Sequence, residues 1–168
     1  MTLAKVIAAI QGLASVAGIV VFGYLLAQGR ALSIIGIALF GFGLWGSWAL
    51  WKERRRGIVL AATFWALQIP QLLSPLHLQL LAGPYLIFFL SSQATFDISF
   101  GAYAGLFATV SEGSGWTIGI NLVAVMVLVL LRRVEAERRE AEELVQAVAQ
   151  AKAEKRVASG QGRGDSGP

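Results

Sequence analysis

Apolar residues in this chain gather into long runs broken by short polar or charged segments, without the stripe that a water-facing helix shows. The first run covers about 6–28, with Gln11, Ser15 and Tyr24 as its polar interruptions. At 1.5 Å per residue it reaches roughly 34 Å, enough to cross a bilayer with some tilt. A secretory signal has an apolar region of only about 7–15 residues, so this run is expected to stay as an anchor. The second run, about 32–51, carries no charge and reaches roughly 30 Å. Trp45, Trp48 and Trp51 share one side near its end, where an aromatic belt would meet headgroups. Only Gly29, Arg30 and Ala31 separate the two runs, so their helices must be antiparallel neighbours.

Two further runs follow. The third, about 57–74, contains Pro70 and ends at Pro75, residues that stop or kink a helix. The fourth, about 117–131, is short but flanked by Trp116 and by Arg132 and Arg133, which can extend its reach at an interface. The pattern predicts a mainly α membrane protein with four transmembrane helices. No Lys or Arg occurs between Arg56 and Arg132. By the bias of cytoplasmic loops towards Lys and Arg, Lys5, the basic cluster at 52–56 and Arg132–Arg133 share the cytoplasmic side, leaving Arg30 outside. Four crossings would place both termini there.

Between the third and fourth runs the period changes. Residues 95–100 alternate polar and apolar, as a strand with one buried face does. Residues 85–90 and 106–110 are β-compatible runs bounded by Gly, Pro or Ser. A small extracytoplasmic β-meander is expected at about 84–112, with a possible fourth strand near 116–118; the competing reading makes 79–90 a re-entrant or fifth helix. After Val134 the composition shifts to Glu, Ala, Arg and Lys. Glu135–Arg139, Arg138–Glu142 and Arg139–Glu143 have i,i+4 spacing, and Val134, Ala141 and Val148 recur every seven residues. A cytoplasmic charged helix is expected at 134–158, then a Gly/Ser-rich disordered tail at 159–168. The Arg163-Gly164-Asp165 triplet in that tail is short enough to arise by chance.

Composition supports a lipid setting. Of 168 residues, 56% are hydrophobic and 14% charged, about half the charge of a soluble domain. The formal charge of +4 sits at the ends of apolar runs, not on a face or stripe, which argues against nucleic acid as a partner. Without Cys and with one His, the chain offers no thiolate ligand and no ordinary zinc set. No cofactor, metal or catalytic residue is expected.

Three groups of residues stand out. Gln68, Pro70 and Gln71 could form a polar site within the third span, where a proline frees a carbonyl. His77, Asp97 and Glu112 are the ionisable residues of the outer segment, tyrosines apart, and would need to converge for proton transfer or ligand binding. Gly12 and Gly18 on the first helix, with Gly36, Gly41, Gly43 and Gly46 on the second, suit close helix packing. The expectation is a structural or interaction component of a bacterial-type plasma membrane. Its partners would be the bilayer and either a second copy or another membrane protein, met through the helices or the 134–158 tail. An uncoupled transporter or channel subunit gated near Gln68 and Pro70, and an enzyme acting on lipid headgroups, are the alternatives.

Overall fold

The computed structural model describes residues 2–74, 76–110 and 115–161, with the backbone alone at 73, 74, 76, 77, 107–110 and 153–161. The elements are α1 (Leu3–Ala27), α2 (Ser33–Trp51), α3 (Arg55–Ala66), β1 (Pro70–Ser74), β2 (Leu76–Ser91), β3 (Phe96–Val110), β4 (Thr117–Asn121) and α4 (Leu122–Gln161). Two compact units result, Met1–Leu131 and Arg132–Pro168.

Helices α1 and α2 are long and apolar enough to cross a membrane. The turn between them needs a left-handed residue, supplied by Gly29 at φ +82°. Gly29 N–H donates to Leu26 O and Arg30 N–H to Leu25 O, the paired bonds that close a helix at a glycine. The same cap ends α2, with Glu53 at φ 54° in the glycine position. The two helices then pack by exchanging rings for glycines. Phe40 lies where a side chain on Gly18 would be, and Phe22 lies where one on Gly36 would be. The two rings stack at 5.7 Å, and Phe64 of α3 meets Phe40 edge-on at 6.3 Å. Helix α3 comes closer still, for a Cβ on Gly57 would stand 2.4 Å from the backbone nitrogen of Leu50.

The expectation of four transmembrane helices is overturned. Helix α3 has 12 residues and rises only about 18 Å, well short of a bilayer core. The expected third span, 57–74, joined that helix to β1 across Pro70, which opens the strand instead of kinking a helix. The expected fourth span, 117–131, is likewise two elements. Thr117–Asn121 is strand β4, and α4 starts only at Leu122, leaving ten residues before Arg132. In both places a strand abuts a short apolar stretch of helix, and a count of apolar residues cannot see the joint. Among the described residues the chain therefore has two candidate membrane spans and a four-stranded antiparallel sheet. Helix α4 runs without a break from Leu122 to Gln161, through the end of the apolar run and into the charged tail. Within its second part Arg133–Glu137, Arg138–Glu142 and Arg139–Glu135 form exposed i,i+4 pairs. The Arg-Gly-Asp triplet lies outside the described residues.

The sheet is not a meander, and it extends over 70–121 in place of 84–112. Its order is β1-β4-β2-β3, with an added contact between β1 and β2. Strands β2 and β3 form one long ribbon, from Leu76 opposite Val110 to Leu90 opposite Phe96. Ser91 closes its turn, exchanging hydrogen bonds with the backbone and hydroxyl of Thr95. The other pairings force this ribbon to bend. Leu72 faces both Leu78 and Ile118, and Ile118 faces Leu90. Those three ladder steps separate Leu78 from Leu90 by at most about 15 Å, whereas a straight strand between them would span about 40 Å. Gly83, at φ +100° and followed by Pro84, lies midway along β2, and Tyr103 opposite it is flanked by Gly101 and Gly105. Positive φ and missing side chains are what a tight bend requires.

The bend gives β2 two buried faces. Leu80 and Ala82 join Ala14, Phe22, Phe40 and Phe64 in one core. Leu81, Ile87 and Phe89 form a second core, with Tyr85 against it. Gly119 of β4 is covered by the Phe89 and Ile87 side chains.

Candidate functional site

Amide side chains hold the junction between α3, the sheet and α4. Gln68, in the turn after α3, is fully buried. Its Oε1 accepts the Ala82 N–H at 2.9 Å and its Nε2 reaches back to Phe64 O at 3.4 Å. Gln71 of β1 donates from Nε2 to Gln68 O at 2.7 Å and to Leu80 O at 3.4 Å. Pro70 is exposed and pairs with Ile120. Asn121 completes the joint as the cap of α4. Its Oδ1 accepts the Val123 and Ala124 N–H groups at 3.2 and 3.5 Å, and its own N–H donates to Ile69 O. The structure thus brings Gln68 and Gln71 together, though not on a membrane helix. Each spends its amide on backbone that a turn or bent strand leaves unpaired. Gln71 Oε1 and Asn121 Nδ2 keep an unmatched acceptor and donor.

A second set of polar groups lies between α1 and α2. Gln11 donates to Gly43 O at 2.7 Å and Ser47 to Ala8 O at 2.6 Å. These bonds need the absence of side chains nearby: a Cβ on Gly12 would meet Ser47, one on Gly43 would meet Ser15 and Phe64, and one on Gly46 would meet Gln11. Gly41 has nothing within 4 Å of that position.

The outer ionisable residues do not form a described cluster. Asp97 lies exposed at the start of β3, where its Oδ1 accepts the Ile98 N–H at 2.8 Å. His77 occupies a β2 position opposite Thr109, but its side chain lies outside the described residues, as does all of Glu112. Among the described residues no group of three or more His, Cys, Asp or Glu could hold a metal.

What the described surface does offer is apolar. On the helices Leu13 is 75% exposed while Gln11 beside it is 0% exposed, and Val20, Tyr24, Ile34 and Ile35 also face outward. Trp45, Trp48 and Trp51 are exposed near the end of α2, with the Arg54 guanidinium 4.4 Å over the Trp48 ring. At the same end Lys5 pairs with Glu53 at 3.1 Å, so the start of α1 and the end of α2 share one level. On the sheet, Ile120–Phe88–Ile98 and Ile118–Leu90–Phe96 make two cross-strand rows, with Phe100 next along β3. All seven side chains are exposed, Phe100 to 81%. The alternation at 95–100 pointed to a buried apolar face. The residues do share a face, and nothing described in this chain covers it.

Fold and surface together define an apolar helical hairpin of membrane-crossing length followed by a bent antiparallel sheet and a long charged helix. No protein-family model, curated protein or solved structure matches the chain.

Proposed function

We propose that this protein is a small membrane-anchored interaction component, held in a bacterial-type plasma membrane by α1 and α2 as a two-pass hairpin. One observation carries the reading. The hairpin buries Gln11, Ser15 and Ser47 between its helices and turns Leu13, Val20, Ile34 and Ile35 outward. Water drives the opposite arrangement, and a hydrocarbon solvent favours this one, since lipid tails are as apolar as Leu and interhelical contact is left to small and polar residues.

Two crossings put Lys5 and the 52–56 cluster on one side and Arg30 on the other, so the bias of Lys and Arg makes the first side, with both termini, cytoplasmic. Everything after α2 then lies on that side. The exposed rows of the sheet are the docking surface, because contiguous apolar patches of this kind mark protein or membrane contacts. Gln68 and Gln71 are engaged with backbone, which leaves uncoupled transport without the polar gate that suggested it.

Detergent extraction of the full chain followed by light scattering and pull-down tests the reading. Self-association or recovery of one specific membrane partner is expected, and it should be lost in a Phe96→Ser/Ile98→Ser/Phe100→Ser variant that stays in the membrane fraction. A monomer that recovers nothing specific would end it.

A further inference from the structure

The end of the hairpin that carries Lys5 holds the charge excess of the whole chain. Lys5, Lys52, Glu53, Arg54, Arg55 and Arg56 lie there, five of the fourteen basic residues against one of the ten acidic ones. The remaining nine of each sign cancel. Folding concentrates the excess further. Lys5 answers Glu53, the one carboxylate of the stretch, at 3.1 Å. Among the described residues Lys52, Arg55 and Arg56 make no ion pair, and all three are exposed. The close approach of Gly57 to the Leu50 backbone holds 52–56 in one tight connection between α2 and α3.

An aromatic layer adjoins these cations. Trp45, Trp48 and Trp51 are each about half exposed. They spread over about 9 Å of the helix axis, comparable to one headgroup layer of a bilayer. Indole rings settle at that level, and Lys and Arg near it extend their charged heads to the surface. The Arg54 guanidinium, 4.4 Å over the Trp48 ring, ties the two layers together. A ligand that suits both must be anionic and must stand at the depth of the rings. A lipid phosphate meets both demands, whereas a free anion in water meets only the charges. Because Lys5 already matches Glu53, a zwitterionic headgroup has its phosphate attracted and its ammonium repelled.

We propose that Lys52, Arg55 and Arg56, backed by the three tryptophans, form a binding site for anionic phospholipid headgroups at the cytoplasmic end of the hairpin. The site deepens the anchoring reading above and rests on it for the bilayer.

The full-length protein in phosphatidylcholine nanodiscs tests this with lipids brominated near the top of their acyl chains, which quench nearby tryptophan. Brominated phosphatidylglycerol should reach half-maximal quenching at about a fivefold lower mole fraction than brominated phosphatidylcholine, the gain of one basic residue held at an anionic surface. The preference should vanish in a Lys52→Gln/Arg55→Gln/Arg56→Gln variant, which keeps every tryptophan. In the unmodified chain it should shrink as salt rises from about 0.1 M to about 1 M, a readout independent of any variant's folding. Equal quenching by the two lipids at low salt would overturn the site. So would a preference that the triple variant keeps, or one that millimolar inorganic phosphate abolishes at matched ionic strength. The two claims fail differently: a chain that stays soluble without detergent removes the anchor and the site with it, whereas one that enters nanodiscs and shows equal quenching keeps the anchor and removes the site alone.

Discussion

The α1–α2 hairpin and the β2–β3 ribbon both turn apolar side chains outward, yet they stand in different positions with respect to solvent. A helix satisfies its own backbone, so α1 can present Leu13 and Val20 to hydrocarbon with the backbone behind them paired within the helix. A strand edge cannot. Phe96, Ile98 and Phe100 are as apolar as any helix residue here, but the β3 backbone beside them still needs partners. The hairpin is complete once lipid surrounds it. The ribbon keeps its outward apolar rows uncovered among the described residues. Under the proposed function, exposed apolar surface would serve anchoring in one region and association in the other.

The contrast can be broken most severely at the helices' closest approach. Gly57→Leu drives a side chain into the Ala49–Leu50 backbone, which cannot yield as a ring can. Overpacking of this kind should cost about 3 kcal/mol, read as loss of a cooperative thermal transition by circular dichroism in detergent. Leu13→Lys asks whether lipid is truly the solvent of α1. At a span centre the exchange should cost about 3 kcal/mol of insertion, visible as a shift of the chain out of the membrane fraction. An α1 that faced water would show no such loss. Asn121→Ala removes the cap of α4 and should destabilise by about 1 kcal/mol, with the helical signal reduced and membrane attachment untouched. The smallest effect should come from Gly41→Ala. With open space at that position, the gain in helix propensity should raise stability by up to about 1 kcal/mol, while the same change at Gly43 should lower it because Ser15 and Phe64 occupy the space.

The two regions also differ in how far they could be read from the residues. Runs at 6–28 and 32–51 coincide with α1 and α2 to within a few residues, because an unbroken apolar stretch of that length has few other uses. The sheet was legible only in its middle. Alternation and β-compatible runs mark 85–90, 95–100 and 106–110, and 116–118 is legible as a possible fourth strand. Strand β1 and most of β4 fall inside apolar runs long enough to read as spans, because a run of apolar residues does not show the joints at Pro70 and Asn121. Asn before an apolar helix is a capping signal, and it was present in the sequence. Gln68 and Gln71 drew attention as polar residues in an apolar setting, which is sound, but their partners Ala82 and Leu80 come from a strand whose bend no local pattern announces.

The central claim, that lipid surrounds the outward face of the hairpin, is most directly tested by single-cysteine labelling. Leu13→Cys, Val20→Cys and Glu53→Cys would each be exposed to a membrane-impermeant maleimide in open membrane sheets, before and after detergent. Glu53→Cys should label at once, and the other two only after the bilayer is dissolved. Equal labelling of all three in intact membranes would contradict the account.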